Sequence, residues 1–327
     1  MSIESSTDLA RAACPVELSI VVPLYNESEN LDCFFRRLFA VLKRLEMTFE
    51  VICVDDGSTD STLSGLLEHV RTQPSLKVIN LSRNFGKETA LTAGIDYAQG
   101  AAVVPLDADL QDPPELIVEF VDKWRKGYDV VYATRGSAKA DSLMKRATRG
   151  VFYWFIGHVG EIRIPSDTGD FRLLDRRVVD ALKRLPERTR FMKGLFAWVG
   201  FKQTAIFYDR PPRHAGASKW NYWRLWNFAL EGVTSFSSFP LKVWSYLGVA
   251  VSFCAVLYAA IIMIRTLVWG IELPGYASLM VVILFLGGIQ LITLGVLGEY
   301  LSRIYYEVKG RPLYIVRESY GFNFHKP

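Results

Sequence analysis

The 327-residue chain has little cysteine and no cysteine pair. Cys14, Cys33, Cys53 and Cys254 show neither a CxxC spacing nor any metal-ligand spacing. That excludes a disulfide scaffold and leaves reduced packing residues on the cytosolic side. Charge of one sign is scarce as well. A net balance of +4 is too weak to argue for a nucleic-acid partner, so only the local placement of charge is informative. A secretory signal is also missing. Glu4 and Asp8 stand where an apolar core would run, so residues 1–16 read as a flexible tail.

Apolar residues are abundant: hydrophobics make up 50% of the chain and aromatics 13%. The excess lies after Phe239, whereas the first 230 or so residues read as an ordinary α/β domain. A buried-type strand from Leu18 ends at Asn26 and is followed by an amphipathic helix with Leu31, Phe34, Leu38, Leu42 and Leu45 on one side. Further strands are predicted over Phe49 to Val54, Lys77 to Leu81, Ala101 to Leu106 and Val130 to Ala133, with a helix between each pair. Asp60 is a candidate cap for the helix that ends near Arg71. Every polar cluster falls at the carboxyl end of a strand. This pattern argues for a mostly parallel sheet with its ligand in the crevice beyond those ends.

The acidic cluster is Asp107-Ala-Asp-Leu-Gln-Asp112. Asp107 and Asp109, two apart, share one face if the chain there is extended. Two anions so close repel each other unless a cation lies between them. Both carboxylates, with the amide oxygen of Gln111, are hard ligands suited to Mg²⁺ or Mn²⁺. The alternative is a solvated acidic turn, with Asp112 capping the helix that Pro113 and Pro114 open.

Downstream, residues 142–159 mix basic and aromatic side chains, as a helix on a membrane surface or one packed under the domain would. Ser166 to Arg172 reads as a polar turn into a short strand, followed by a helix from Arg176 to Leu185. A strand from Thr204 to Tyr208 precedes a basic, glycine-containing loop, Arg210 to Lys219. Two apolar spans close the chain, roughly Val243 to Ile264 and Tyr276 to Leu297. Each is long enough to cross a hydrocarbon layer of about 30 Å. Positive charge flanks both outer ends, which places the catalytic domain and the C-terminus in the cytoplasm. The expected division is a domain over 17–220, an interfacial segment over 221–240, two transmembrane helices over 241–300 and a cytoplasmic tail over 301–327.

Five motifs now stand in order: Pro23-Leu-Tyr-Asn-Glu27, Asp55-Asp-Gly-Ser-Thr-Asp60, Ser82-Arg-Asn-Phe-Gly-Lys87, Asp107 to Glu115, and Gly169-Asp-Phe-Arg172. Together they resemble the inverting glycosyltransferases of family 2 with a GT-A fold, over about residues 18–315. Within that family they resemble the polyprenyl-phosphate glycosyltransferases, which include the dolichol and bactoprenol enzymes. The resemblance implies that Pro23, Tyr25, Glu27, Asp56, Lys87 and Asp107 hold a nucleotide sugar. It implies that Asp107, Asp109 and Gln111 bind Mg²⁺ or Mn²⁺, and that Asp170 is the catalytic aspartate beside Asp109. For Asp170 a positioning or electrostatic role is preferred, because a phosphate monoester acceptor is already ionised near neutral pH. Arg135, Arg213, Ser218 and Lys219 are candidates for the acceptor phosphate, and Trp220, Tyr222, Trp223 and Trp226 form an interfacial aromatic belt.

The implied reaction moves a hexose, glucose from UDP-glucose by first choice, to undecaprenyl phosphate at the bacterial inner membrane. GDP-mannose, UDP-formyl-aminoarabinose or a UDP-N-acetylhexosamine are the alternative donors. A homotetramer is expected from related enzymes. A processive polysaccharide synthase is disfavoured, since the chain has no Gln-x-x-Arg-Trp motif and no further spans. A membrane regulator that binds nucleotide sugar without turnover is the reading from a different class, and the acids at 107, 109 and 170 argue against it.

Overall fold

The structure is a computed structural model, and it describes residues 16–135, 168–185, 187–188, 190, 192–208, 239–269 and 275–322. In chain order the first elements are β1 (Val16–Leu24), α1 (Leu31–Leu42), β2 (Phe49–Asp55), α2 (Thr62–Thr72), β3 (Leu76–Leu81), α3 (Lys87–Tyr97), β4 (Gly100–Pro105), α4 (Leu116–Arg125) and β5 (Val130–Arg135). Then follow β6 (Thr168–Asp175), α5 (Arg176–Lys183), α6 (Met192–Trp198), β7 (Gln203–Tyr208), α7 (Phe239–Trp269), α8 (Tyr276–Lys309) and β8 (Val316–Tyr320).

The eight strands form one sheet in the order β7-β5-β6-β4-β1-β2-β3-β8. Its centre is parallel, because β1 pairs with β2 and β4, and β2 with β3, all in parallel register. Strand β1 is apolar on both faces, as a strand covered by helices on each side must be. Leu18, Ile20 and Val22 pack with α1, Leu66 of α2 and Phe120 of α4, while Val21 packs on the other side with Ala90, Leu91 and Ile95 of α3. Each such fully buried aliphatic or aromatic side chain contributes about 1.5–3 kcal/mol.

Three features depart from the sequence-based expectation. Strand β6 begins at Thr168, so the stretch read as a polar turn is already strand from that residue, and it inserts antiparallel between β4 and β5. At the other edge, residues 316–320 are not tail. They form β8, antiparallel to β3. The helices before it are also longer than the spans read from the sequence, and α8 continues past residue 300 to Lys309. The stretch Phe285–Lys309 is long and apolar enough to cross a membrane, and α7 holds a shorter apolar stretch, Gly248–Tyr258. Phe253, Leu257, Ile261, Leu291, Leu294 and Leu297 are all exposed on these two helices. An apolar surface of that extent calls for lipid or a protein partner to cover it.

Gly57 fixes how two loops meet at the sheet's carboxyl edge. Its φ is +68°, and a Cβ there would lie 2.5 Å from the Arg83 carbonyl carbon and 2.7 Å from the Asn84 nitrogen. Both obstacles are backbone. Gly57→Ala therefore forces the loop after β2 away from the loop after β3, and a loss of about 1–3 kcal/mol is expected. Thermal unfolding of the detergent-solubilised chain measures it.

Candidate active site

The motif loops at the carboxyl edge interlock through backbone and carboxylate groups. Asn26, held at φ 54°, accepts from the Thr59 N–H at 2.8 Å, and its own N–H donates to Ser58 Oγ at 3.0 Å. Glu27 accepts from Asn30 Nδ2 at 2.6 Å and donates its N–H to Thr62 Oγ1. Asp60 accepts from the Thr62 N–H at 3.0 Å and so serves the start of α2, but the N-cap position is Ser61, one residue later than the sequence implied. Pro23 lies in β1 opposite Val54, and Tyr25 is exposed.

Asp55 and Asp56 are both buried. Asp55 accepts from the Ser58 N–H. Asp56 accepts from the Phe85 N–H at 2.7 Å with one oxygen and from the Gly86 N–H at 2.9 Å with the other. Burial raises the Asp56 pKa and these two bonds oppose the rise. The first task visible for Asp56 is therefore to hold the loop that ends in Lys87.

Lys87 opens α3 and reaches back across the crevice. Its Nζ lies 2.7 Å from Asp107 Oδ2 and 2.9 Å from Asp170 Oδ2. Sheet register explains the meeting. Ala102 pairs with Asp175 and Val103 with Leu174. Carried past the last paired residues, that antiparallel register sets Asp107 across from Asp170. Because β6 runs against β4, its amino end falls at the same edge as the carboxyl ends of β3 and β4. Three motifs separated by 20 and 83 residues thus converge on one ammonium. Burial alone would lower the Lys87 pKa, but attraction to Asp107 and Asp170 outweighs it and the pKa is raised. Burial raises the Asp107 pKa, with Lys87 opposing the shift and Asp170 reinforcing it.

The geometry of the two acids differs from the strand-based expectation. Strand β4 ends at Pro105, so Asp107 and Asp109 both lie beyond the strand, Asp109 in a turn. Leu110 there has φ 56°, a strained value for leucine. Asp109 accepts from the Gln111 N–H at 3.1 Å and is partly exposed, while Gln111 is buried. Among the described residues no group of three His, Cys, Asp or Glu side chains gathers as a metal cage. Two carboxylates and an amide are instead the donor set of an ion that keeps positions open for phosphate oxygens and water. By donor chemistry those residues suit a divalent cation.

Two contacts at the site were not foreseen. Asp112, buried at the end of the acidic turn, accepts a hydrogen bond from the Tyr208 hydroxyl. Tyr208 is the last residue of β7, so the acidic turn is tied to the end of that strand. Arg172, two residues after Asp170, shares its face of β6. Its guanidinium lies 4.1 Å from the Phe196 ring centre on α6, it donates to the Gly169 carbonyl at 2.8 Å, and burial pushes its pKa down to about 10. The i, i+2 spacing in Gly169-Asp-Phe-Arg172 was the available signal. Arg135 closes β5 opposite Tyr208, and its side chain lies outside the described residues, as do Arg213, Ser218, Lys219 and the aromatic belt after them.

Residues 19–183 match the family model described as Glycosyl transferase family 2, and residues 239–304 match the GtrB C-terminal hairpin. The chain belongs to glycosyltransferase family 2. Its sheet is the mostly parallel GT-A type, and the hairpin associates this glycosyltransferase with membrane. An uncharacterized glycosyltransferase of Synechocystis is 60% identical over 309 residues, covering 94% of this chain and 97% of that protein. The bactoprenol glucosyl transferase of Shigella phage SfII is 47% identical over 310 residues, covering 94% of this chain and 100% of the relative. Among solved structures, glucosyl-3-phosphoglycerate synthase of Mycobacterium tuberculosis with Mn²⁺ and UDP-glucose overlays at a TM-score of 0.42 and 18% identity, covering 72% of this chain and 82% of that one.

Proposed function

We propose that this family 2 glycosyltransferase moves glucose from UDP-glucose to a polyprenyl phosphate, undecaprenyl phosphate by first choice, with inversion at the anomeric carbon. The observation that carries the reading is the convergence of Lys87, Asp107 and Asp170 at the sheet's carboxyl edge. Full-length similarity to a bactoprenol glucosyl transferase supports the choice of sugar and acceptor.

In this reading Asp109, Asp107 and Gln111 hold Mg²⁺ or Mn²⁺, which supplies positive charge against the diphosphate of the leaving nucleotide. Pro23, Tyr25, Glu27 and Asp56 shape the pocket for base and ribose, Asp56 partly through the loop it holds. Lys87 keeps Asp107 and Asp170 apart and fixed, so neither carboxylate swings when the donor binds. Asp170 orients the acceptor and needs no proton, because a phosphate monoester is largely dianionic near neutral pH. Arg135, Arg213, Ser218 and Lys219 bind that phosphate at headgroup level. The hairpin of α7 and α8 spans the cytoplasmic membrane, with the catalytic domain on its cytoplasmic face.

The test offers purified chain, Mg²⁺ or Mn²⁺ and undecaprenyl phosphate a panel of radiolabelled nucleotide sugars. Label from UDP-glucose is expected in the organic phase, as a β-linked product from the α-linked donor. Preference for another donor would replace the sugar while keeping the reaction, and no transfer from any donor would overturn both.

A further inference from the structure

The segment after α8 grips the element that carries Lys87 at both of its ends. At the front, the Ser82 N–H donates to the Ile315 carbonyl at 2.9 Å, and the Arg317 guanidinium donates to the Ser82 carbonyl at 2.7 Å. Ser82 opens the loop that delivers Lys87. At the rear, the Tyr314 hydroxyl donates to Asp96 Oδ2 at 3.0 Å, and the Phe322 ring meets the Tyr97 ring edge-on at 5.4 Å. Asp96 and Tyr97 are the last two residues of α3, whose first residue is Lys87. The strap starts where Gly310, at φ 65°, turns the chain out of α8. The catalytic domain also holds that turn, because the Arg188 N–H donates to Glu307 Oε1 at 2.7 Å and its guanidinium to the Arg311 carbonyl.

We infer that residues 310–322 are a positioning brace for the donor site, with Arg317 and Tyr314 setting where the loop and α3 hold Lys87 relative to Asp107 and Asp170. The inference rests on the proposed reading of this site as a nucleotide-sugar pocket. Neither residue touches substrate. Both act through the Ser82-to-Tyr97 unit, which is also anchored by Asp56 at Phe85 and Gly86, by Lys183 Nζ on the Asp96 carbonyl at 2.8 Å, and by its own packing on β1. Losing the strap's hold at one end frees that unit to pivot about the Asp56 anchor. The ammonium then no longer rests between both carboxylates, and donor binding weakens before the chemistry does.

The experiment uses the full chain in detergent with Mg²⁺. It compares UDP binding by calorimetry, and KM and kcat for UDP-glucose, in Arg317→Ala, Tyr314→Phe, their combination, and Arg317→Lys. A rise in UDP-glucose KM of about threefold in each single variant and about tenfold in the combination is expected, with kcat within twofold. Tenfold corresponds to about 1.4 kcal/mol. Arg317→Lys keeps a donor for the Ser82 carbonyl and is expected to restore most of the loss. A fall in melting temperature with KM and UDP affinity unchanged would make the strap a structural edge strand only and overturn the inference. Absence of UDP binding by the unaltered chain would overturn the parent reading together with this one.

Discussion

Asp109→Asn is expected to lower glucolipid synthesis by about a thousandfold, with the protein still folded and still inserted in membrane. The carboxylate stands in a turn, is partly exposed and, among the described residues, supports only its own loop through the Gln111 N–H, a bond that an amide oxygen also accepts. The substitution therefore removes a negative charge and a hard ligand while disturbing little else. Where charge builds on a leaving group, removal of one fixed electrostatic partner costs roughly 10²–10³ in rate, or about 2.7–4 kcal/mol, and loss of an ion adds to that. Transfer of label into the organic phase, measured across a Mg²⁺ or Mn²⁺ titration, is the check. Activity close to that of the unaltered chain would place the ion elsewhere and remove Asp109 from the catalytic machinery.

Lys87→Ala is the second large effect, about a hundredfold in kcat/KM. It leaves Asp107 and Asp170 facing one another with no cation between, and like charges at that range push one carboxylate towards its neutral form or push the pair apart. Lys87→Arg keeps the charge, yet a planar fork does not replace a compact ammonium held by two converging oxygens, so only partial recovery is expected. The pH dependence has a definite sign. The folded-state pKa of Lys87 is raised, so its contribution is fully present below the ordinary lysine value of about 10.4 and fades only as pH climbs through the raised value. A kcat/KM profile with an alkaline limb below about pH 10 that disappears in Lys87→Ala would contradict this arrangement.

The parallel half of the sheet was legible because its strands are continuous apolar runs bounded by helices with one apolar side, and both patterns survive without tertiary information. The meeting of Lys87 with Asp107 and Asp170 was not legible as a contact. Each residue stood out in its own motif, but the distance between them depends on β6 running antiparallel beside β4, and nothing local in Thr168 to Asp175 announces its partner. Asp56 shows a different gap. Its residue type suits ribose hydroxyls and backbone N–H groups equally, and only the fold brings two N–H donors onto it. Strand β8 was missed for a simpler reason. Val316-Arg-Glu-Ser-Tyr320 lies at a solvated edge of the sheet, and Arg317, Glu318 and Ser319 are exposed, so its composition is that of a tail.

One consequence of that last strand concerns parity. Strand β7 precedes the two long helices, β8 follows them, and both belong to a single sheet. A continuous sheet cannot be divided by a bilayer, so the chain between Tyr208 and Val316 must traverse it an even number of times. Reporter groups placed on either flank of the hairpin are bound to register the same compartment, whichever side of the bilayer that is.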